Sequence, residues 1–468
     1  MPKSNNYVVH ILVFFCGMSL WLDIEGIINE MPVMINYLPE GWKLASYVNI
    51  CIAVAFPIAL VIVLAVSTCK KENSKYFACS ALMNQVLQLI VLSFIWRKTY
   101  TIEGEIHSIG LFAVIFVLGC SGRAYSIIFL SILETMKSEY VASYFIGEGI
   151  GLMVCPMLAF VQGAGHITCQ LQLVGEENRL VISNESLVNR TEYKQQTVYE
   201  DPLFPVQVYI LILAGTALVP LVSFILLNWN PLSLAGIIES KRQSSFRAYD
   251  QDERDSDEYL LLPRQDHVTL PDDDHQPTEL SHKSNIYEAR YSFITWLRKH
   301  SHNAPDWYVL ALAAFVQMQI CAFPFALGTY YSLPYGHKTF HLIITIGNTA
   351  IAMASITGRF FSVTSWPIIG GITALSSSLS AYIVVVASLS PNPPLAGRLA
   401  GTIITIGVWC IQNYSLAYLK LCLAKKVHNN KTSMTLFGVA MEIGFLLGNI
   451  IAFILIGILK LFNEKSFC

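Results

Sequence analysis

A few ionisable side chains interrupt the long apolar stretches of this chain, and these are the residues that could do chemistry. The stretch W-L-D-I-E-G-I-I-N-E-M-P at 21–32 crowds Asp23, Glu25 and Glu30 together. Further along, Arg123, Glu148 and Glu442 each stand inside an apolar run, while His341 and Lys420 sit near the ends of others. In hydrocarbon an ionisable group is expensive and usually faces a partner or a water-filled path. Arg123 requires an acidic partner, and Glu25 and Glu148 are the candidates, because a buried pair costs far less than an isolated charge. Glu148 lies deep in its run, within S-Y-F-I-G-E-G at 143–149, where the flanking glycines admit a close neighbour. Each has a bland alternative. Asp23 and Glu30 can sit at the membrane interface if Pro32 stops the helix nearby. Lys420 can snorkel to the surface. Gly147 with Gly151, and Gly444 with Gly448 after Glu442, can be packing faces only. No H-x-x-x-D or paired-Asp arrangement suits an intramembrane enzyme, and no Cys or His spacing suits a metal ion. The pattern points to passage of a solute, with no catalysis. Trp21, Phe129, Tyr144, Tyr330 and Tyr418 lie beside polar residues and can stack on a flat ligand, although each taken singly is as readily a packing residue.

The elements that must hold these groups follow from composition. Of 468 residues, 54% are hydrophobic and 13% charged, against about 25% charged in a soluble protein. Half of the 62 charged residues fall in two stretches, 164–203 and 231–304. What remains cannot cover a soluble surface, and a net charge of −2 argues against a nucleic-acid partner. A helix needs about 20 apolar residues to span a bilayer. Eleven such runs occur, at 7–28, 44–67, 77–96, 107–131, 140–163, 204–228, 306–329, 340–358, 367–388, 399–420 and 434–459. They are too long and uniform for a β-barrel. The first lacks a small-x-small cleavage site and is taken as a retained helix. The expected fold is therefore an all-α polytopic membrane protein. Gly and Pro interrupt the second, fifth, seventh and eleventh spans, as in solute transporters whose broken helices line a cavity.

Lys and Arg in the short loops modestly favour a cytoplasmic N-terminus, which leaves the C-terminus outside. That topology puts 164–203 outside, with sequons at Asn184 and Asn189 as glycosylation sites. The acidic, polar segment 229–305 cannot bury enough apolar surface to fold alone and is expected to be a disordered cytoplasmic linker. It divides the chain into an N-terminal six-helix bundle, 1–228, and a C-terminal five-helix bundle, 306–468. Within it D-E-Y-L-L-L-P, from Asp257 through Leu262 to Pro263, matches acidic-dileucine and tyrosine-based sorting signals read by adaptors, or is an amphipathic piece of linker. Among the 11 cysteines, Cys169 and Cys468 are clearly outside and can form a disulfide.

Several of these motifs resemble one family. W-L-D-I-E-G-I-I-N-E-M-P followed by L-P-E-G-W at 38–42 resembles the first helix and outer loop of the eukaryotic riboflavin transporters, solute carrier family 52. Y-F-I-G-E-G at 144–149 with A-F-V-Q-G-A-G at 159–165, Y-S-L-P-Y-G at 331–336 with F-H-L at 340–342, and S-L-A-Y-L-K at 415–420 are similar to later family segments. The resemblance implies uptake of riboflavin (vitamin B2) across the plasma membrane by alternating access. It implies eleven helices in two bundles, similar to equilibrative nucleoside transporters and the major facilitator type. No cofactor is expected, since riboflavin would be cargo. The ring would stack on aromatics such as Trp21, Phe129 and Tyr144, and the polyol would bond to Glu25, Glu30, Glu148 and Gln317. The alternatives are a carrier for nucleosides or another flat heterocycle, or a transporter-like receptor. By the same resemblance, Glu25 stands where relatives usually have Asn. Gly122-Arg123 replaces an Asp-Cys pair, and Glu442 replaces Gln. The loop 389–398 lacks a Cys that relatives pair with the C-terminal one.

Overall fold

A computed structural model describes residues 4–41, 44–68, 71–102, 104–163, 167–173, 193–199, 202–230, 307–321, 326–363, 365–429 and 433–462. It is a polytopic α-helical membrane protein. Among the described residues ten helices are long and apolar enough to span a bilayer. The first six are α1 (Ser4–Met34), α2 (Leu44–Thr68), α3 (Lys71–Ile95), α4 (Ile109–Leu133), α5 (Ser138–Gln162) and α6 (Val206–Trp229). After residues 231–306 come α7 (Trp307–Ile320), α8 (Ala326–Ser332), α9 (His337–Phe360), α10 (Trp366–Ser388), α11 (Leu399–Asn429) and α12 (Met434–Phe453). Within the seventh expected span the described residues form α7 and α8, each too short to span a bilayer by itself, so ten full-length helices are described where eleven runs were expected. The second and fifth spans, by contrast, run unbroken through Pro57 and Pro156, and α1 runs through Pro32 to Met34. A proline removes one backbone donor, and neighbouring helices can absorb that loss without ending the helix. The last span ends in a π-turn at Ile454–Ile458.

Among the described residues two short antiparallel ribbons lie between helices, the first between α3 and α4 and the second between α5 and α6. β1 (Tyr100–Ile102) pairs with β2 (Glu105–His107), and β3 (Ile167–Leu173) pairs with β4 (Tyr193–Tyr199) in the register Ile167↔Tyr199. The second ribbon lies in a stretch expected only as a polar loop. Its alternating Thr168, Gln170 and Gln172 give it a strand pattern that charge counting overlooked.

The first six helices pack as α1 on α5 and α6, α3 on α6, and α2 and α3 on α4. The later ones pack as α7 on α12, α9 on α11, and α10 on α11. Between these groups, α5 lies on α9 and α11, while α4 and α2 lie on α12. The α1–α5 crossing is very close. A Cβ on Gly147 would stand 1.8 Å from the Phe14 carbonyl oxygen, and one on Gly151 would stand 2.4 Å from that of Met18. The small residues thus form a packing face that brings two backbones together. Large side chains such as Val61, Phe94 and Leu399 are exposed on the outer helix faces. A surface this apolar belongs against lipid.

Candidate binding cavity

Between the two groups of helices lies a cavity of about 510 Å³, within the range of about 300–1,000 Å³ usual for small-molecule sites. It extends from Trp21, Phe145, Glu148 and Lys420 at its floor to Ile35, Phe160 and Gly457 at its mouth. Its wall is mainly apolar and aromatic, with Tyr330, Phe340 and Trp409 from the later helices. Amides supply much of its polarity: Asn29 and Asn49 from the first helices, Gln317, Asn348, Asn413 and Asn449 from the later ones.

The floor is a cluster of charges that cancel. The Lys420 ammonium on α11 lies 2.6 Å from Glu148 Oε1 on α5. The Trp21 indole N–H donates to the same oxygen at 2.8 Å. Beside them the Arg123 guanidinium on α4 faces Glu442 on α12 at 3.6 Å. Arg123 is also sandwiched between the rings of Trp21 and Phe445, 4.1 Å from each centroid. All four ionisable groups are buried or nearly so. Both ion pairs join one of the first six helices to one of the later ones. Removing one member of such a pair costs more than making it ever gained, because a charge is then stranded.

Two expectations are corrected here. Arg123 pairs with Glu442, not with Glu25 or Glu148, because the α4–α12 contact sets Glu442 directly opposite it. Lys420 does not snorkel. The later helices close over it, and Glu148 is the nearest compensating charge.

The remaining site residues separate cleanly. Trp21, Glu25, Glu148 and Gln317 all line the cavity. Glu30 does not. It is fully buried, and its carboxylate accepts from Gln162 Nε2 at 2.9 Å, tying the ends of α1 and α5 together. Asp23 is likewise buried rather than interfacial, since α1 continues past it. Phe129 and Tyr144 stack on each other, 5.1 Å apart and 17° from parallel, in the core between α4 and α5. Phe129 also meets Phe224 at a tilt and does not line the main cavity. Asn184, Asn189, Cys468 and the segment from Asp257 to Leu262 lie outside the described residues; Cys169 falls in β3, with its side chain likewise outside them.

Sequence reasoning missed Asn348, whose amide reaches Glu25 at 3.5 Å. A polar residue within an apolar run was the available signal. It also missed a set of contacts that closes the end opposite the mouth. Arg359 on α9 donates to Ser143 on α5 at 3.0 Å, and His10 on α1 bonds to Ser143 at 2.7 Å. His428 meets the Met136 carbonyl at 3.0 Å, and the Met434 N–H donates to Glu134 at 3.1 Å.

Comparison with known proteins places the chain. A family model described as "Solute carrier family 52, riboflavin transporter" matches residues 5–464. "Riboflavin transporter 2" of Salmo salar is 27% identical over 464 residues, covering 98% of each chain. "Solute carrier family 52, riboflavin transporter, member 3" of Homo sapiens is 24% identical, covering 99% of this chain and 98% of that one. Among solved structures, the proton:xylose symporter XylE superposes with a TM-score of 0.57 at 10% identity, covering 98% of this chain and 90% of XylE. The human organic anion transporter MFSD10 gives 0.54 at 11%, covering 97% and 92%. These two likenesses establish a major-facilitator-type fold. The full-length match to the family model establishes more: the chain belongs to solute carrier family 52, the riboflavin transporters.

Proposed function

We propose that this protein carries riboflavin across the plasma membrane into the cell by alternating access. The observation that carries the reading is the aromatic and amide-lined cavity of about 510 Å³, held between two groups of helices in a chain of this family. The flat ring lies against Phe145, Tyr330 and Trp409, and the polyol reaches the amides and Glu25. With the N-terminus cytoplasmic, the mouth near Ile35 and Gly457 faces outward. The contacts of Arg359, Ser143, His10 and His428 then seal the inner side. Stretch 164–203 is outside and glycosylated, and the acidic linker, with its sorting signal, is inside and lets the two bundles rock.

Rocking has to part α5 from α9 and α11, and α4 from α12. The two ion pairs at the floor cross that boundary, so they open and close with the cycle. Riboflavin is cargo throughout, and no covalent step is required.

The test is accumulation of labelled riboflavin in cells expressing the full chain, competed by flavin analogues and by nucleosides. Saturable uptake blocked by flavins and not by nucleosides is the expected result. Uptake blocked by nucleosides, or saturable binding with no accumulation, would overturn it in favour of a nucleoside carrier or a receptor.

A further inference from the structure

The described lining of the cavity holds three ionisable side chains, Glu25, Glu148 and Lys420. Glu148 and Lys420 neutralise each other at 2.6 Å. Glu25 is left, only 4% exposed, with no Lys, Arg or His within ion-pair distance among the described residues. Its Oε1 accepts from the Asn29 amide at 3.2 Å and the Asn348 amide at 3.5 Å. Its Oε2 is buried and has no hydrogen-bond partner.

The amides beside it have little left to donate. The Asn29 NH2 also serves the Glu25 carbonyl at 2.8 Å, and the Asn348 NH2 also serves the Leu152 carbonyl at 3.0 Å. Because each faces only acceptors, neither amide can turn its oxygen inward without setting lone pair against lone pair. Gln317, on the same cavity, has a buried Oε1 without a partner as well. The polar wall around Glu25 thus presents acceptor oxygens, with no cation within ion-pair distance of Glu25 among the described residues. A buried acceptor with no donor costs free energy until a ligand satisfies it. Hydroxyl and N–H groups can do so. A phosphate dianion, which brings only acceptors and carries its charge into a wall with no free cation among the described residues, cannot.

We propose that Glu25 is a specificity-determining residue that admits neutral, hydroxyl-bearing flavin and excludes its phosphate ester. The inference rests on the riboflavin reading above and assigns one residue the task of separating the free vitamin from its charged, phosphorylated form.

The experiment uses the purified full-length protein and quenching of flavin fluorescence, with riboflavin and riboflavin 5′-phosphate as probes, alongside uptake in cells. In the unaltered protein the ester should bind at least about tenfold more weakly, since like charges held together are strongly penalised. Glu25→Gln keeps the shape and the Asn contacts and removes the charge, so the gap should narrow to about threefold or less while riboflavin still binds. Asn348→Asp placed in the Glu25→Gln background returns a carboxylate to the same spot from the facing helix and should reopen the gap. Glu25→Asn serves if Glu25→Gln fails to fold. An unchanged gap in a variant that still binds riboflavin overturns the role of Glu25 and leaves riboflavin transport standing. Equal binding of both probes by the unaltered protein does the same. Failure of the unaltered protein to bind or carry riboflavin removes the transport reading and this inference with it.

Discussion

At the floor of the cavity each acid faces a base, while one helical turn further along α1 from Trp21, Glu25 meets only amides. The two regions are built from the same kinds of residue in the same low-dielectric setting. They differ in what the opposite helices supply. At the floor, Lys420 meets Glu148 and Arg123 meets Glu442, so charge is cancelled before any ligand arrives. On the wall, α9 supplies Asn348, which leaves one Glu25 oxygen bare. A cancelled charge can hold helices together, whereas an uncancelled one creates a demand that a ligand must meet.

The largest expected effect comes from breaking the floor. Lys420→Met strands Glu148 and should cost roughly 3–5 kcal/mol, seen as a lowered unfolding temperature of the detergent-purified protein and loss of uptake. Adding Glu148→Leu should return most of the stability without returning uptake. If it returns none, the floor does not work by cancellation. Glu148→Gln leaves the Lys420 charge uncompensated in turn but is gentler, because its amide oxygen can still accept from Trp21 and Lys420. Surface expression should hold while riboflavin uptake falls about tenfold or more, the scale of a lost charge-assisted bond. Unchanged uptake would remove Glu148 from the mechanism.

Packing comes next. Gly147→Ala places a methyl against the Phe14 carbonyl, 1.8 Å from its oxygen, and should destabilise by about 1–3 kcal/mol. Arg123→Gln loses two ring faces as well as Glu442, with about 2 kcal/mol from each desolvated cation–π contact as an upper scale. The exchange Arg123→Glu with Glu442→Arg should recover part of any lost uptake, since it rebuilds the pair with reversed polarity. The smallest effect belongs to Phe129→Leu, which lies outside both regions. It should lower stability by about 1.5 kcal/mol or less and leave the KM for riboflavin unchanged. A raised KM would put Phe129 back among the ligand contacts.

Much of the architecture was legible from runs of apolar residues, because a bilayer leaves the backbone few options. The Gly and Pro signal for interrupted spans misled at Pro57 and Pro156, where α2 and α5 simply continue. At the site, Trp21, Glu25, Glu148 and Gln317 stood out as polar or aromatic residues in apolar surroundings, and all four line the cavity. Phe129 and Tyr144 stood out on the same grounds and turned inward instead. Periodicity says that an aromatic residue lies on a helix. It does not say which neighbour covers it.

By itself, then, the sequence determined that this chain crosses a membrane many times, that its rare internal charges carry meaning, and, through motifs such as L-P-E-G-W and Y-F-I-G-E-G, which family it resembles. Local composition suffices for that, because helix formation and lipid partition act on short segments. Only the tertiary structure decided the partners. Arg123 and Glu442 are more than three hundred residues apart in the chain, and so are Glu25 and Asn348, which meet through the packing of α1, α5 and α9. Electrostatic energy depends on the distance between charges in space, and chain position does not fix that distance.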